Sequence, residues 1–210
     1  MADAWSLGAR VLVRPAREFQ SLASARTAAG VRPTFWIALR RPLLLTVVLA
    51  SVVSLLASSV ATLRLVAPTA IYWSFVPVVE ILALAIVVWR RRGSRELSSL
   101  IDAFFAGHAA WALFLLAVGA TMAIASPQQW WFLITRPAIV VIVLVTGWSA
   151  YVDVCFFRYV CGARLARAVG DAVLHRLIAW TLIFWIFAVP RPTPFGVIQE
   201  IIEAIAGVLR

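Results

Sequence analysis

The sequence predicts an all-α integral membrane bundle of five transmembrane helices, with amphipathic interfacial helices at both ends. Three observations carry this. The 210 residues are 63% hydrophobic and 13% charged, with a mean hydropathy of +0.96, which is more apolar surface than a water-soluble globule of this size can bury. The chain holds five apolar runs, each long enough to cross roughly 30 Å of hydrocarbon as a helix. Arginine-rich and arginine-poor connections alternate between those runs.

The runs cover residues 42–63, 71–89, 103–124, 130–157 and 172–189. Short loops rich in arginine are retained on the cytoplasmic side of a membrane. The rich segments are the N-terminal region (Arg10, Arg14, Arg17, Arg26, Arg32, Arg40, Arg41), the loop with Arg90, Arg91, Arg92 and Arg95, and the loop with Arg158, Arg164 and Arg167. The poor ones carry Arg64 alone, no arginine in 126–129, and Arg191 with Arg210 at the C-terminus. Five crossings satisfy every segment and predict a multi-pass protein of a bacterial inner membrane, its N-terminus cytoplasmic and its C-terminus extracytoplasmic. Aromatic rings mark the same boundaries, Tyr72, Trp73, Trp130 and Trp131 at the outer face and Trp36 and Trp89 at the inner one.

The net charge of +10 would suggest nucleic acid in a soluble protein, but here it sets topology, and no nucleic-acid partner is expected. All 19 basic residues are arginine, which reflects a GC-rich coding composition. Cys155 and Cys161 lie near the cytoplasmic end of one span, where thiols stay reduced, so no disulfide is expected. The first apolar stretch, residues 11–13, is too short for a secretory signal, leaving the first span to direct insertion.

Three regions follow: a cytoplasmic basic amphipathic segment (1–41), the five-span domain (42–189) and an extracytoplasmic proline linker with an interfacial helix (190–210). In the first, Trp5, Leu12, Phe19 and Leu22 interleave with arginines around Pro15, a pattern expected to lie flat on a membrane and to attract anionic lipid. In the last, Pro190, Pro192 and Pro194 precede Val197, Ile198, Ile201, Ile202, Ile205, Val208 and Leu209 at helical spacing. Within the first span Ala50, Ser54, Ser58 and Thr62 form a small-residue face that another helix can approach closely; packing within the chain is the expected use.

A cytoplasmic N-terminal region, five spans and a short far-side C-terminus, led by the Pro-to-Phe segment RPAREFQSL at 14–22, resembles the Yip1-type membrane proteins. The Asp-Leu-x-Gly-Pro-Leu motif of eukaryotic members does not occur. The resemblance implies membrane organisation or partner binding without catalytic residues.

Ionisable groups inside a membrane are costly, so each needs a partner. Glu80 lies near the middle of the second span, three residues after Pro77, and Arg136 lies about two turns inside the fourth; an ion pair between them is expected. Asp102, His108, Asp153, His175 and Arg176 form a second group, expected to hydrogen-bond between helices. Two histidines on different helices raise haem ligation, but Arg176 beside His175 is better explained by the membrane interface, and no cofactor, metal or catalytic residue is expected. Residues 147–150 (Gly-Trp-Ser-Ala) approximate the rhomboid-protease Gly-x-Ser-Gly segment but lack its second glycine and a sixth span, so Ser149 is expected to bond back to its own backbone. The arginine run after span two can meet anionic headgroups, although topology alone accounts for it. The sequence therefore predicts a non-enzymatic membrane protein that packs against itself or membrane partners, with a small oligomeric transporter or channel component using Glu80 and Arg136 as the alternative.

Overall fold

Long runs of Leu, Val, Ile and Ala satisfy their backbone polar groups without water only as helices. The computed structural model describes residues 2–29, 35–58, 61–90, 97–124 and 127–188; side chains are described for these except 2–6, 26–29, 35, 122, 127–138 and 187. All regular structure among them is helical: α1 (Ala2–Val13), α2 (Pro15–Ala29), α3 (Phe35–Ser58), α4 (Leu63–Trp73), α5 (Phe75–Trp89), α6 (Leu97–Ala106), α7 (Ala109–Ile124), α8 (Pro127–Cys155) with a π turn (Phe156–Val160), and α9 (Leu165–Ala188). Four stretches are long and apolar enough to cross a membrane: Trp36–Ser58, Leu63–Trp89, Ile139–Val160 and Leu165–Ile186. A fifth results if α6 and α7, bent by 47°, are taken as one.

The helix boundaries depart from the sequence reading in ways that trace to local chemistry. The first apolar helix starts at Phe35, upstream of Pro42, and ends at Ser58. The second begins at Leu63, so Arg64 lies in a first helical turn and not in a loop. Its break at Ser74 comes from Pro77, which has no N–H to donate to the carbonyl four residues earlier. Ser74 closes the gap locally, its N–H and Oγ donating to the Ile71 carbonyl at 3.3 and 2.7 Å. Between α6 and α7 the break falls at Gly107 and His108, where the Gly107 and His108 N–H groups donate to the Phe104 and Phe105 carbonyls. A Cβ on Gly107 would lie 2.8 Å from Val152 Cγ1, so the missing side chain is what lets this corner approach α8.

The N-terminal segment forms two helices, and their apolar edge faces protein. Val11 and Phe19 are fully buried, and Phe19 meets Phe156 of the π turn edge to face at 5.9 Å. Pro15 opens α2, where its lack of an N–H costs nothing. Glu18, in the first turn of α2, bonds Arg10 at 2.9 Å and fixes the elbow between the two helices.

Burial is uneven along the bundle. The larger core cluster joins α1 and α2 to α6, the π turn and the adjoining parts of α3, α5, α8 and α9, with Phe104, Phe156 and Phe157 at its centre. A smaller one holds Val79, Ala83 and Ala179. The π turn ends where Gly162, at φ 70°, reverses the chain and the Ala163 N–H reaches back to the Phe157 carbonyl at 3.1 Å. On α3, Ala50 and Ser54 are buried, and Ser54 Oγ lies 3.4 Å from Thr69 Oγ1 of α4, so this part of the small-residue face packs within the chain. Cys155 and Cys161 are not joined in a disulfide. The proline linker and C-terminal helix expected at 190–210 lie outside the described residues.

Candidate functional site

Ser149 and Asp153 stand four residues apart on α8, hence on one face, and α9 presents His175 and Arg176 on adjacent positions. Arg176 Nε donates to Asp153 Oδ2 at 2.8 Å, while its Nη2 lies 2.8 Å from both Asp153 Oδ2 and Ser149 Oγ. One guanidinium thus neutralises a buried carboxylate and satisfies a buried hydroxyl. Ser149 therefore accepts a hydrogen bond from another helix, a partner that the backbone-bonded expectation did not provide.

His175 turns the other way, toward α5. Its Nε2 lies 3.2 Å from the Glu80 carbonyl oxygen and 3.3 Å from Glu80 Oε2. Its ring packs edge to face on Phe104 at 4.7 Å and tilted on Phe157 at 6.2 Å. Asp153 and Arg176 lie within electrostatic range of Glu80. His175 is 1% exposed, and its Nδ1 is a buried polar atom with no hydrogen-bond partner among the described residues.

His108 occupies the corner between α6 and α7, its Nδ1 3.4 Å from the Phe104 carbonyl and its ring 5.0 Å from Phe104 and 4.9 Å from Phe105. Both imidazoles thus pack against the single ring of Phe104. Among the described residues no group of three or more His, Cys, Asp or Glu side chains is arranged to hold a metal ion.

The two expected groups are therefore regrouped. Asp102 does not join Asp153 and His175; it sits with Arg40 and Arg41 of α3, whose nearest nitrogens lie 3.2 and 2.7 Å from its carboxylate oxygens, and Arg41 Nη1 also donates to its carbonyl at 2.5 Å. Glu80 does join them, through His175. The expected pairing of Glu80 with Arg136 falls outside the described side chains. Arg136 precedes Asp153 by 17 positions on α8, about 25 Å at 1.5 Å per residue.

No family model, no curated protein and no solved structure matches the chain. What the site can do follows from its own atoms. Asp153 with Arg176 and Glu80 with His175 tie α9 to α8 and to α5, and Asp102 with Arg40 and Arg41 ties α6 to α3. Three such ties position five helices by contacts that each require a specific rotation about the helix axis.

The groove on the surface lies elsewhere and is apolar. It spans about 550 Å³ beside α1, α7 and α8, with Leu12, Leu113, Phe114, Val141, Leu144 and Trp148 among its walls. Sequence reasoning missed Arg40, Arg41 and Ser149 as partners. The i, i+4 spacing of Ser149 and Asp153 was the available signal for the last.

Proposed function

We propose that this chain is a non-enzymatic multi-pass protein of a bacterial inner membrane that acts by packing against itself or membrane partners, in a membrane-organising, assembly or trafficking-like role. In this reading the chain crosses five times, with α6 and α7 as one bent span, the N-terminus in the cytoplasm and the C-terminus outside. The Yip1-type likeness in topology belongs to the same proposal.

The observation that carries it is a stretch of α8. All six residues at 139–144 are apolar and 38–66% exposed, although six residues cover more than a full helical turn. That segment makes little use of its own bundle and offers apolar surface all round, whereas the charged side chains of the site are turned on one another. An apolar surface of this kind suits lipid and partner helices, and the apolar groove beside it extends the same surface.

A photo-crosslinking residue at Val143, activated in native membranes, tests the reading. A reproducible covalent adduct with a second copy or another membrane protein is the expected result. Recovery of monomer alone under conditions where the crosslinker reacts with lipid would overturn it.

A second reading, a small oligomeric transporter component working through Glu80, is favoured by the polar side chains gathered between α5, α8 and α9. Glu80→Gln would then abolish proton or substrate flux in proteoliposomes while the protein stays folded.

A further inference from the structure

Among the described residues, the charged groups in contact between α5, α8 and α9 do not sum to zero. Glu80 and Asp153 are two carboxylates, and Arg176 is the one guanidinium among them. The other elements packed here leave that balance unchanged: α6 and the π turn contribute the rings of Phe104 and Phe157, Arg40 and Arg41 of α3 are turned to Asp102, and Arg64 stands sixteen residues before Glu80, about 24 Å along α4 and α5. His108 and His175 are neutral unless they take up a proton, as are Tyr151 and Cys155 of α8 and Tyr159 of the π turn in their protonated forms. Asp171, four residues before His175, and Arg158, Arg164 and Arg167 are further charges on α9, the π turn and the segment that joins them. The contacts described for Glu80, Asp153 and His175 include none of these.

A buried set of charges is tolerated when its members cancel. We infer that the Glu80–His175 pair is a proton-binding site that holds one proton in excess of the Nε2 proton, bringing the four-residue set of Glu80, Asp153, His175 and Arg176 to neutrality.

The geometry of His175 supports this. Nε2 faces two oxygens of Glu80, both acceptors, so the ring proton belongs on Nε2. Nδ1 is then a bare lone pair, buried and without a partner among the described residues. A proton added at Nδ1 would be a buried donor with no acceptor among the described residues, so the proton is held on the Nε2 side, where the Glu80 oxygens share it. Glu80 keeps 20% of its side chain exposed, so the pair has an edge through which a proton can arrive. Losing that proton leaves one uncompensated negative charge at the joint between α5 and α9, so the proton is part of what holds those helices together.

The test uses the full chain in lipid nanodiscs at neutral pH, read on both partners. Histidine is labelled with ¹⁵N and the His175 signals are assigned by comparison with His108→Gln, which leaves one imidazole in the protein. Glutamate is labelled with ¹³C, so that a protonated carboxyl band can be recognised by infrared spectroscopy in the unmutated chain. The expected result is a protonated glutamate band that disappears in Glu80→Gln or, with the shared proton passed to the ring, an imidazolium pattern for His175. Should Glu80→Gln not fold, the isotope shift in the unmutated chain still identifies a protonated glutamate. A neutral His175 in a sample with every glutamate ionised would overturn the inference, as would a protonated glutamate band that persists in folded Glu80→Gln beside a neutral His175.

Discussion

Arg176 grips the Asp153 carboxylate through both Nε and Nη2, each 2.8 Å from the same oxygen, across the α8–α9 interface. Because the Asp153 side chain is 8% exposed, removing either partner strands a charge away from water. Arg176→Met and Asp153→Leu are each expected to destabilise the protein by about 3–5 kcal/mol, and the double variant to recover most of that loss. Reversible unfolding in mixed detergent micelles measures all three. Single variants as stable as the parent would show that the pair is not a fastener.

Gly107 tests the α6–α7 corner. Gly107→Ala places a methyl 2.8 Å from Val152 Cγ1, and relieving that overlap by shifting α8 is expected to cost about 1–3 kcal/mol. Adding Val152→Ala removes the atom in the way. The double variant should therefore unfold closer to the parent than Gly107→Ala does.

Phe19 measures how firmly the N-terminal helices dock. Phe19→Ala leaves a cavity against Phe156 and is expected to cost about 3–5 kcal/mol. Limited proteolysis should then remove α1 and α2 faster than from the parent. Equal digestion rates would mean that these helices dock through other contacts.

Arg40 and Arg41 share Asp102 but differ in surroundings, their side chains being 40% and 9% exposed. Arg41→Ala is expected to cost about 3 kcal/mol, as for a buried pair losing one member. Arg40→Ala should cost no more than about 1 kcal/mol, as for a surface pair. The same unfolding assay ranks them, and the reverse order would contradict the burial argument.

A topology reporter fused after Arg210 checks the five crossings proposed from the arginine pattern. Activity outside the cytoplasm is expected. Activity confined to the cytosol would mean an even number of crossings, with α6 and α7 entering and leaving on one side.

The helices themselves were largely legible, because an apolar run long enough to cross a membrane must close its own hydrogen bonds wherever it occurs. The departures have local causes of a subtler kind. Pro42 reads as a span start although the helix continues two turns upstream of it, and residues 64–70 read as a loop although they are helical. The corner at Gly107 gave no polar signal, since its cause is the proximity of Val152 on a helix 45 residues away. Among the candidate site residues, Glu80, His175, Asp153, Asp102 and His108 were recognisable as charges or imidazoles in apolar surroundings, but their partners were not. The contact of Glu80 with His175 was not legible because depth in the membrane, the one coordinate the sequence supplies, leaves rotation about the helix axis free.

The sequence by itself determined that this chain is helical, which stretches are apolar enough to cross a membrane, and which ionisable groups would be costly there, because each of these depends on residue type and spacing along one strand of chain. Only the tertiary structure decided that His175 meets Glu80, that Arg176 serves both Asp153 and Ser149, that Asp102 pairs with Arg40 and Arg41 of α3, and that Phe19 is buried in the core. Those outcomes depend on which helices become neighbours and how each is rotated, and that choice is made by the joint packing of side chains from many segments.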